Sequence, residues 1–224
     1  GRSKCDSCKA ELKWYDLIPV LSFVFSKGKC RHCNAKLSIF YPAIEIITGF
    51  LFAVVFINTN LLSPQFFYYL LISSFLIVIF FTDLKYVVIP DKLNLAAILI
   101  TFVYLIISHQ SLVINHLLTG VFSFLFLLLI SAIFYFLTKK QSMGGGDIKL
   151  AVLMGLILGF PDIILAFYLA FLTGAAYSII LILWKKKSFR KDSIPFGPFL
   201  ALATFISIFW GNFLLENALK LLGI

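Results

Sequence analysis

The chain has 224 residues, of which 61% are hydrophobic and 13% are charged, and its formal net charge is +9. This apolar composition excludes an ordinary soluble domain and is typical of a helical membrane protein. The positive charge does not require a nucleic-acid partner, because Lys and Arg in short loops orient membrane proteins and attract anionic lipid.

Seven apolar stretches follow one another along the chain. They cover residues 41–57, 65–82, 93–108, 116–137, 148–160, 162–184 and 199–222. A helix needs about 20 apolar residues to cross a hydrocarbon core of about 30 Å, and most of the stretches meet or approach that length. We therefore predict an all-α polytopic membrane protein with about seven transmembrane helices. Because the chain opens on a polar segment without an initiator Met, an eighth helix is expected before it.

Lysine and arginine are concentrated in alternate loops. Eight of the nineteen precede Tyr41. Most of the others lie in every second loop further on, at Lys85, Lys92, Lys139, Lys140, Lys149, Lys185, Lys186, Lys187, Arg190 and Lys191. Because short basic loops stay on the cytoplasmic side, we predict that residues 1–40 form a cytosolic module and residues 41–224 form the membrane domain.

The four cysteines form two Cys-x-x-Cys pairs with 21 residues between them. They are Cys5, Cys8, Cys30 and Cys33. Two such pairs can deliver four thiolates to the corners of a tetrahedron, which is the geometry that zinc accepts. Two disulfides are the alternative, but disulfides seldom persist in the cytosol. Four sulfur ligands leave no open position, so we predict a structural zinc; His32 is an alternative ligand.

Apolar and aromatic residues fill the segment 14–25 between the cysteine pairs. Aromatic side chains of this kind settle at the headgroup level of a bilayer. They can equally form the small core of the zinc module.

Two aspartates stand beside apolar stretches. Asp83 ends the stretch 65–82, and Asp147 follows the glycine triplet 144–146. Taken singly, Asp83 can be a solvated acid paired with Lys85, and Asp147 can be a helix N-cap. Ionisable residues within membrane segments nevertheless indicate functional sites by default.

The expected depth of Asp147 favours a functional role. The fourteen residues from Asp147 to Phe160 reach about 21 Å as a helix, which is short of a hydrocarbon core of about 30 Å. If Phe160 lies at the outer surface, Asp147 lies beneath the inner one. Ser63 and Pro64 are typical of a helix start, and the helix that they begin brings Asp83 to about the same depth.

Two carboxylates at one depth can act as a pair. They cannot both ionise easily, so we expect them to share a proton, with one group as base and the other as acid. Such a pair can activate water and protonate a peptide bond, and glycines beside it let a substrate backbone approach. The alternative is an ion- or proton-coupled transporter, but a transporter would usually place acids across the bilayer rather than at one face.

The motifs of this chain resemble those of the type IV prepilin peptidases, which are intramembrane aspartic proteases of the GxGD type. The resemblance extends over essentially the whole chain. It rests on the segments Arg2-Ser3-Lys4-Cys5-Asp6-Ser7-Cys8, Ile18-Pro19-Val20-Leu21-Ser22, Gly28-Lys29-Cys30-Arg31-His32-Cys33, Tyr41-Pro42-Ala43-Ile44-Glu45, Thr82-Asp83-Leu84-Lys85, Ile89-Pro90-Asp91, Gly144-Gly145-Gly146-Asp147-Ile148-Lys149 and Ile194-Pro195-Phe196-Gly197-Pro198-Phe199.

The resemblance implies that Asp83 and Asp147 are the catalytic pair. The expected supporting residues are Gly144, Gly145, Gly146, Lys85 and Lys149. Members of the family cut a basic leader from prepilins or pseudopilins at the cytosolic face of the bacterial inner membrane. Those with two cysteine pairs commonly also methylate the new N-terminus with S-adenosylmethionine, and this chain has both pairs. The particular pilin, the process served (pilus assembly, secretion or DNA uptake) and the oligomeric state are left open.

Several other residues can be interpreted in more than one way. Glu45 can be a first-turn acid that suits the helix dipole or, by resemblance, part of the methyl-transfer site. The turn 195–198 can line the active site or only start a helix. Lys85 and Lys149 each follow an aspartate by two positions and so do not face it in a helix; we expect them to snorkel to the interface. Asp91 is expected to be an N-cap.

Overall fold

The computed structural model describes residues 3–108, 113–139, 143–184 and 195–222. Throughout these ranges the regular structure is helical, apart from two isolated β-bridges beside the cysteine pairs. A turn of 3-10 helix (Trp14–Leu17) and helix α1 (Leu21–Phe25) are short. The longer helices of the described part are α2 (Phe40–Asn58), α3 (Pro64–Tyr86), α4 (Asp91–Ile107), α5 (Val113–Thr138), α6 (Gly145–Leu158), α7 (Asp162–Leu183) and α8 (Gly197–Leu222).

Each of the seven predicted apolar stretches coincides with one of the helices α2 to α8, so the all-α polytopic prediction is confirmed. Within the described residues, α2, α3, α5, α7 and α8 are long and apolar enough to cross a membrane. Helices α4 and α6 have 17 and 14 residues and fall short of the usual length. Seven spans therefore stay a prediction. The predicted basic-loop residues at 140 and 185–191 lie outside the described ranges.

The chain divides into two compact units, Gly1–Phe66 and Phe67–Ile224. The first unit holds both cysteine pairs and α2, and the second holds α4 to α8 and most of α3. The division into a module at 1–40 and a membrane domain at 41–224 stays a prediction.

Helix α6 is the central helix of the second unit. It packs against α4, α5, α7 and α8, and more than half of its residues are buried. It lies so close to α5 that a Cβ atom on Gly155 would stand 2.5 Å from the carbonyl oxygen of Thr119. Small residues at such crossings let two backbones approach in a membrane. The close packing of α6 against its neighbours therefore fixes the position of this short helix.

The C-terminal end of α6 is also hydrogen-bonded to α5. Asn115 donates a side-chain hydrogen bond to the carbonyl oxygen of Phe160 at 3.0 Å and accepts one from the Phe160 N–H at 3.1 Å. A ring nitrogen of His116 lies 2.9 Å from the carbonyl oxygen of Leu156. These contacts satisfy carbonyl groups that a helix end leaves without partners.

Helix α3 begins as the sequence predicts. Pro64 is its first residue, and the hydroxyl of Ser63 accepts a hydrogen bond from the Phe66 N–H at 3.1 Å. The helix ends at Tyr86, which places Asp83 in its last turn.

Candidate active site

The structure brings Asp83 and Asp147 together at one cavity. Asp83 projects from the last turn of α3 and Asp147 from the first turn of α6. Both are buried, with 4% and 8% of their surface exposed, and both line a cavity of about 770 Å³. The structure therefore places at one cavity the two aspartates that the sequence led us to expect as a pair.

One oxygen of each carboxylate is held by a backbone N–H group. Gly197, the first residue of α8, donates to Oδ2 of Asp83 at 2.9 Å. Gly144, which precedes α6, donates to Oδ2 of Asp147 at 3.2 Å. Both donors lie at the start of a helix, where N–H groups lack intrahelical partners and the dipole favours negative charge. The two carboxylates are thus oriented by α6 and α8.

Glycine has a low helix propensity, but the glycine triplet 144–146 does not break helix α6. Gly144 is the N-cap residue, with extended backbone, and Gly145 and Gly146 form the first turn of α6. Asp147 is therefore the third helical residue rather than the N-cap. Its carboxylate bonds back to the capping residue, because that N–H would otherwise lack a partner.

The glycines of the triplet differ in their surroundings. A Cβ atom on Gly145 would meet no atom within 4 Å, whereas one on Gly146 would lie 3.0 Å from Cβ of Ile89. All three glycines line the cavity. Of the two that belong to α6, Gly145 has the open surroundings that the predicted approach of a substrate backbone requires.

Lys149 forms an ion pair that the sequence did not predict. Its Nζ lies 2.8 Å from Oδ1 of Asp91, and both residues line the cavity. Asp91 is the first residue of α4, after the capping residue Pro90, so the expectation that Asp91 is an N-cap is wrong. The Lys85 ammonium lies 4.9 Å from the centre of the Tyr86 ring.

The turn near Pro195 lies at the cavity and also precedes a helix, so its role in an active site stays a prediction. Pro195 and Phe196 line the cavity, and α8 starts directly after them at Gly197. Residue 194 lies outside the described residues. Helix α7 supplies a wall that sequence reasoning missed, made of Phe171, Gly174, Ala175 and Ser178. The available signal was the spacing of small residues one helical turn apart.

The four predicted cysteines converge in the first unit. Their sulfur atoms all lie within 4.8 Å of one another, and all four are free thiols. His32 is not among the clustered donors of the described residues. This donor set fits a tetrahedral metal such as zinc.

Backbone N–H groups act on the sulfur atoms of two of the cysteines. N–H groups of Cys8 and Ser7 point to the Cys5 sulfur and lower the pKa of this thiol to about 6. The Ala35 N–H favours the thiolate of Cys33, but desolvation and the neighbouring thiols together raise the pKa of Cys33 to about 11. A bound metal would replace the protons that these sulfurs share.

The two cysteine pairs lie in matching turns. In the first, the Cys5 N–H donates to the carbonyl oxygen of Ala10 at 3.0 Å; in the second, the Cys30 N–H donates to that of Ala35 at 2.8 Å. Sequence reasoning missed this repeat, although Lys-Cys-x-x-Cys-x-Ala-x-Leu occurs at residues 4–12 and again at 29–37.

Glu45 contacts the loop between the cysteine pairs. Its Oε2 accepts a hydrogen bond from the Val20 N–H at 2.7 Å. Helix α2 starts at Phe40 and has no acid in its first turn, so the reading of Glu45 as a first-turn acid is wrong. Glu45 lines a second cavity, of about 320 Å³, within the first unit.

Comparison with known proteins agrees with these features. The family model of the bacterial peptidase A24 N-terminal domain matches residues 1–59, and that of the type IV leader peptidase family matches residues 70–179. No solved structure gives a significant match.

Named relatives cover nearly the whole chain. A prepilin leader peptidase/N-methyltransferase of Bacillus subtilis is 32% identical over 98% of this chain and 86% of its own length. Proteins of the same name from Legionella pneumophila and Pseudomonas aeruginosa are 33% and 30% identical, over 94% and 99% of this chain and 73% and 76% of their own lengths. The chain, a multi-pass membrane protein, therefore belongs to the type IV leader peptidase family.

Proposed function

We propose that this chain is a membrane aspartic endopeptidase that removes the basic leader peptide of type IV prepilins or pseudopilins and also methylates the new N-terminus. The observation that carries the peptidase proposal is the meeting of Asp83 and Asp147 at one cavity, from helices that are distant in sequence. The names of the relatives support both activities. Neither the family nor these relatives support the transporter alternative.

The carboxylate pair divides the work of peptide hydrolysis. The ionised member takes a proton from a water molecule as the water oxygen attacks the scissile carbonyl carbon, and the protonated member gives its proton to the carbonyl oxygen. The tetrahedral intermediate then collapses: its C–N bond breaks, the leaving nitrogen receives the proton held by the first carboxylate, and one hydroxyl of the intermediate returns its proton to the second carboxylate. The products are a leader with a new carboxylate and a mature protein with a free amine.

The substrate reaches the pair as an extended strand. Peptide bonds in a helix are shielded by their own side chains, so the segment to be cut must unwind at the cavity. The open face of Gly145 gives the substrate backbone room beside Asp147. The aromatic rings of Phe171 and Phe196, whose centroids are 5.2 Å apart, offer an apolar wall to the hydrophobic side chains that follow the cleavage site.

Methyl transfer is proposed for the first unit. S-adenosylmethionine, when bound, supplies the methyl group. The cavity that Glu45 lines carries the carboxylates of Asp6 and Asp16 beside the cations of Lys4, Lys29 and Arg31. It also carries the rings of Phe23 and Tyr41, on which the aromatic base of the donor can stack. Glu45 is our candidate for contact with the donor. The cysteine cluster would hold a structural zinc in the same unit.

We place the enzyme in the bacterial inner membrane, with the carboxylate cavity and the cysteine module on the cytosolic side. The distribution of Lys and Arg supports this orientation, and Lys149 lies at the cavity itself. The lipid bilayer and the prepilin are the proposed partners; nucleic acid is not. We also propose residues 1–40 as the zinc module and residues 41–224 as the protease domain.

A cleavage assay tests the proposal. Purified protein in lipid vesicles is incubated with a leader-bearing prepilin and with S-adenosylmethionine, and mass spectrometry reads the new N-terminus. We expect a cut just before the hydrophobic helix and a mass increase of one methyl group. An uncut prepilin would overturn the peptidase proposal, and a cut without methylation would overturn the methyltransferase part alone.

A further inference from the structure

Gly197 lies directly against the Asp83 carboxylate. Its N–H donates the buried 2.9 Å hydrogen bond to Oδ2. A Cβ atom at this position would stand 2.7 Å from the same oxygen and 3.1 Å from Cγ. No ordinary carbon–oxygen contact is that short, so any side chain at residue 197 would displace the carboxylate or α8.

A second contact of Gly197 involves Ile89, which precedes α4. The same Cβ atom would stand 3.0 Å from Cδ1 of Ile89, and a Cβ atom on Gly146 would stand 3.0 Å from Cβ of Ile89. Ile89 is buried, with 7% exposed, and is therefore held between the first turns of α6 and α8. The N–H groups that hold the two carboxylates belong to the same helix starts, at the capping residue Gly144 and at Gly197.

We propose that Gly197 is a positioning residue: its N–H fixes one oxygen of Asp83, and its lack of a side chain lets α8 begin against that carboxylate. The inference rests on the proposed function, in which Asp83 is one of the two catalytic groups. Gly197 itself touches neither water nor substrate in the reaction. Its effect passes through the orientation of Asp83.

Replacing Gly197 by alanine should therefore damage the chemical step more than substrate binding. The N–H group is kept, but the new Cβ atom forces Oδ2 away. Misplacement of a reacting group by about 1 Å can lower a rate about 100-fold. We expect Gly197→Ala to lower kcat about 10- to 100-fold and to leave KM for the prepilin within about twofold.

A paired variant separates the carboxylate contact from simple crowding. Ile89→Val removes Cδ1, the atom that a side chain at 197 would meet, and leaves the contact with Asp83. In Gly197→Ala/Ile89→Val we expect kcat to stay low, although any loss of thermal stability caused by crowding is relieved. Ile89→Val alone serves as the baseline. Gly49→Ala is the matched glycine control, because a Cβ atom there meets nothing within 4 Å.

Cleavage of the prepilin by the wild-type protein tests the proposed function, and the ratio of variant to wild-type kcat tests the inference. Wild-type cleavage with an unchanged kcat in Gly197→Ala would overturn the inference and leave the proposed function standing. Recovery of kcat in the paired variant would also overturn it, because crowding with Ile89 would then explain the loss. So would a Gly197→Ala protein that fails to fold even with Ile89→Val, which would assign the glycine to packing. A wild-type protein that cuts no prepilin would overturn both.

Discussion

Lys149 and Asp91 are joined by an ion pair of 2.8 Å that links the fifth residue of α6 to the first residue of α4 at the edge of the carboxylate cavity. Their side chains are 54% and 68% exposed. Exposed pairs contribute only about 0–1 kcal/mol to stability, and added salt screens them. The pair can therefore influence the cavity without being needed for the fold.

Asp91→Asn and Lys149→Gln should each lower the stability of the protein by less than about 1 kcal/mol and should leave cleavage within about tenfold of wild type. Thermal unfolding at low and high salt, with a double-mutant cycle, measures the coupling between the two residues. Lys92→Gln, at a neighbouring exposed position, is the control. Complete loss of cleavage in Lys149→Gln would instead assign this lysine a direct part in the chemistry.

Asp83→Asn and Asp147→Asn should each abolish detectable cleavage. General acid–base groups contribute about 10²- to 10⁴-fold each, and an amide can neither take up nor supply the proton. Folding should be preserved, since the amide has nearly the same shape as the carboxyl group and its oxygen can still accept the backbone hydrogen bond. The measurement is product formation by mass spectrometry beside a thermal unfolding curve.

The matched control for these variants is Asp162→Asn. Asp162 begins α7, nine residues, or about 14 Å along the helix, before Phe171, the first residue of α7 that lines the cavity. The Asp162→Asn protein should cleave the prepilin as fast as the wild-type protein does. Substantial cleavage by Asp83→Asn or Asp147→Asn would remove the paired-carboxylate mechanism.

Gly155→Ala should destabilise the second unit. The added methyl group would stand 2.5 Å from the Thr119 carbonyl oxygen and 2.7 Å from Cα of Gly120, so α5 and α6 must separate. Overpacking of this kind costs about 1–3 kcal/mol. Thermal unfolding in detergent should show a lower midpoint, whereas Gly49→Ala should show an equal or higher one, because alanine favours helix. A midpoint for Gly155→Ala at or above wild type would contradict the close crossing.

Gly145→Ala tests whether the substrate backbone uses the open face of the glycine triplet. A Cβ atom at this position meets no atom within 4 Å, so stability should be unchanged or slightly higher. If the substrate lies against this face, KM for the prepilin should rise about tenfold. Cleavage kinetics and thermal unfolding of the same preparation separate the two effects, and wild-type kinetics would show that the substrate runs elsewhere.

Cys8→Ser should reduce the zinc bound per chain, measured by elemental analysis of the purified protein. Four sulfurs within 4.8 Å of one another form a complete tetrahedral set, and the hydroxyl of serine is a poor replacement for a thiolate. His32→Ala should keep its zinc, because the clustered donors are all sulfur. A strong chelator should remove the metal and loosen residues 3–40, which limited proteolysis can detect. A wild-type protein that binds no zinc would leave the cluster without its proposed metal.

Much of this site could be predicted residue by residue. The two acids stand out because charged groups are rare beside apolar stretches, and the cysteines stand out by their spacing. The role of Gly144 as a cap and the place of Asp147 within the helix were not predictable, because a glycine triplet has low helix propensity and packing against four other helices overrides it.

The position of Ile89 and the cavity wall formed by α7 were also not predictable from the sequence. Ile89 belongs to one of the segments that carry the family resemblance, but its place between Gly146 and Gly197 is visible only in the structure. Small residues on a helix mark close contacts of many kinds, so Gly174 and Ser178 alone could not indicate what lies opposite them.

The sequence by itself determined the membrane class, the positions of the long helices, the cysteine cluster and the identity of the two acids. These are properties of composition, length and spacing, which act locally along the chain. Only the tertiary structure decided that the Gly197 N–H holds Asp83 and that Lys149 pairs with Asp91. Those contacts join residues 114 and 58 positions apart, and they exist because the folded chain brings the starts of α4, α6 and α8 and the end of α3 to one cavity.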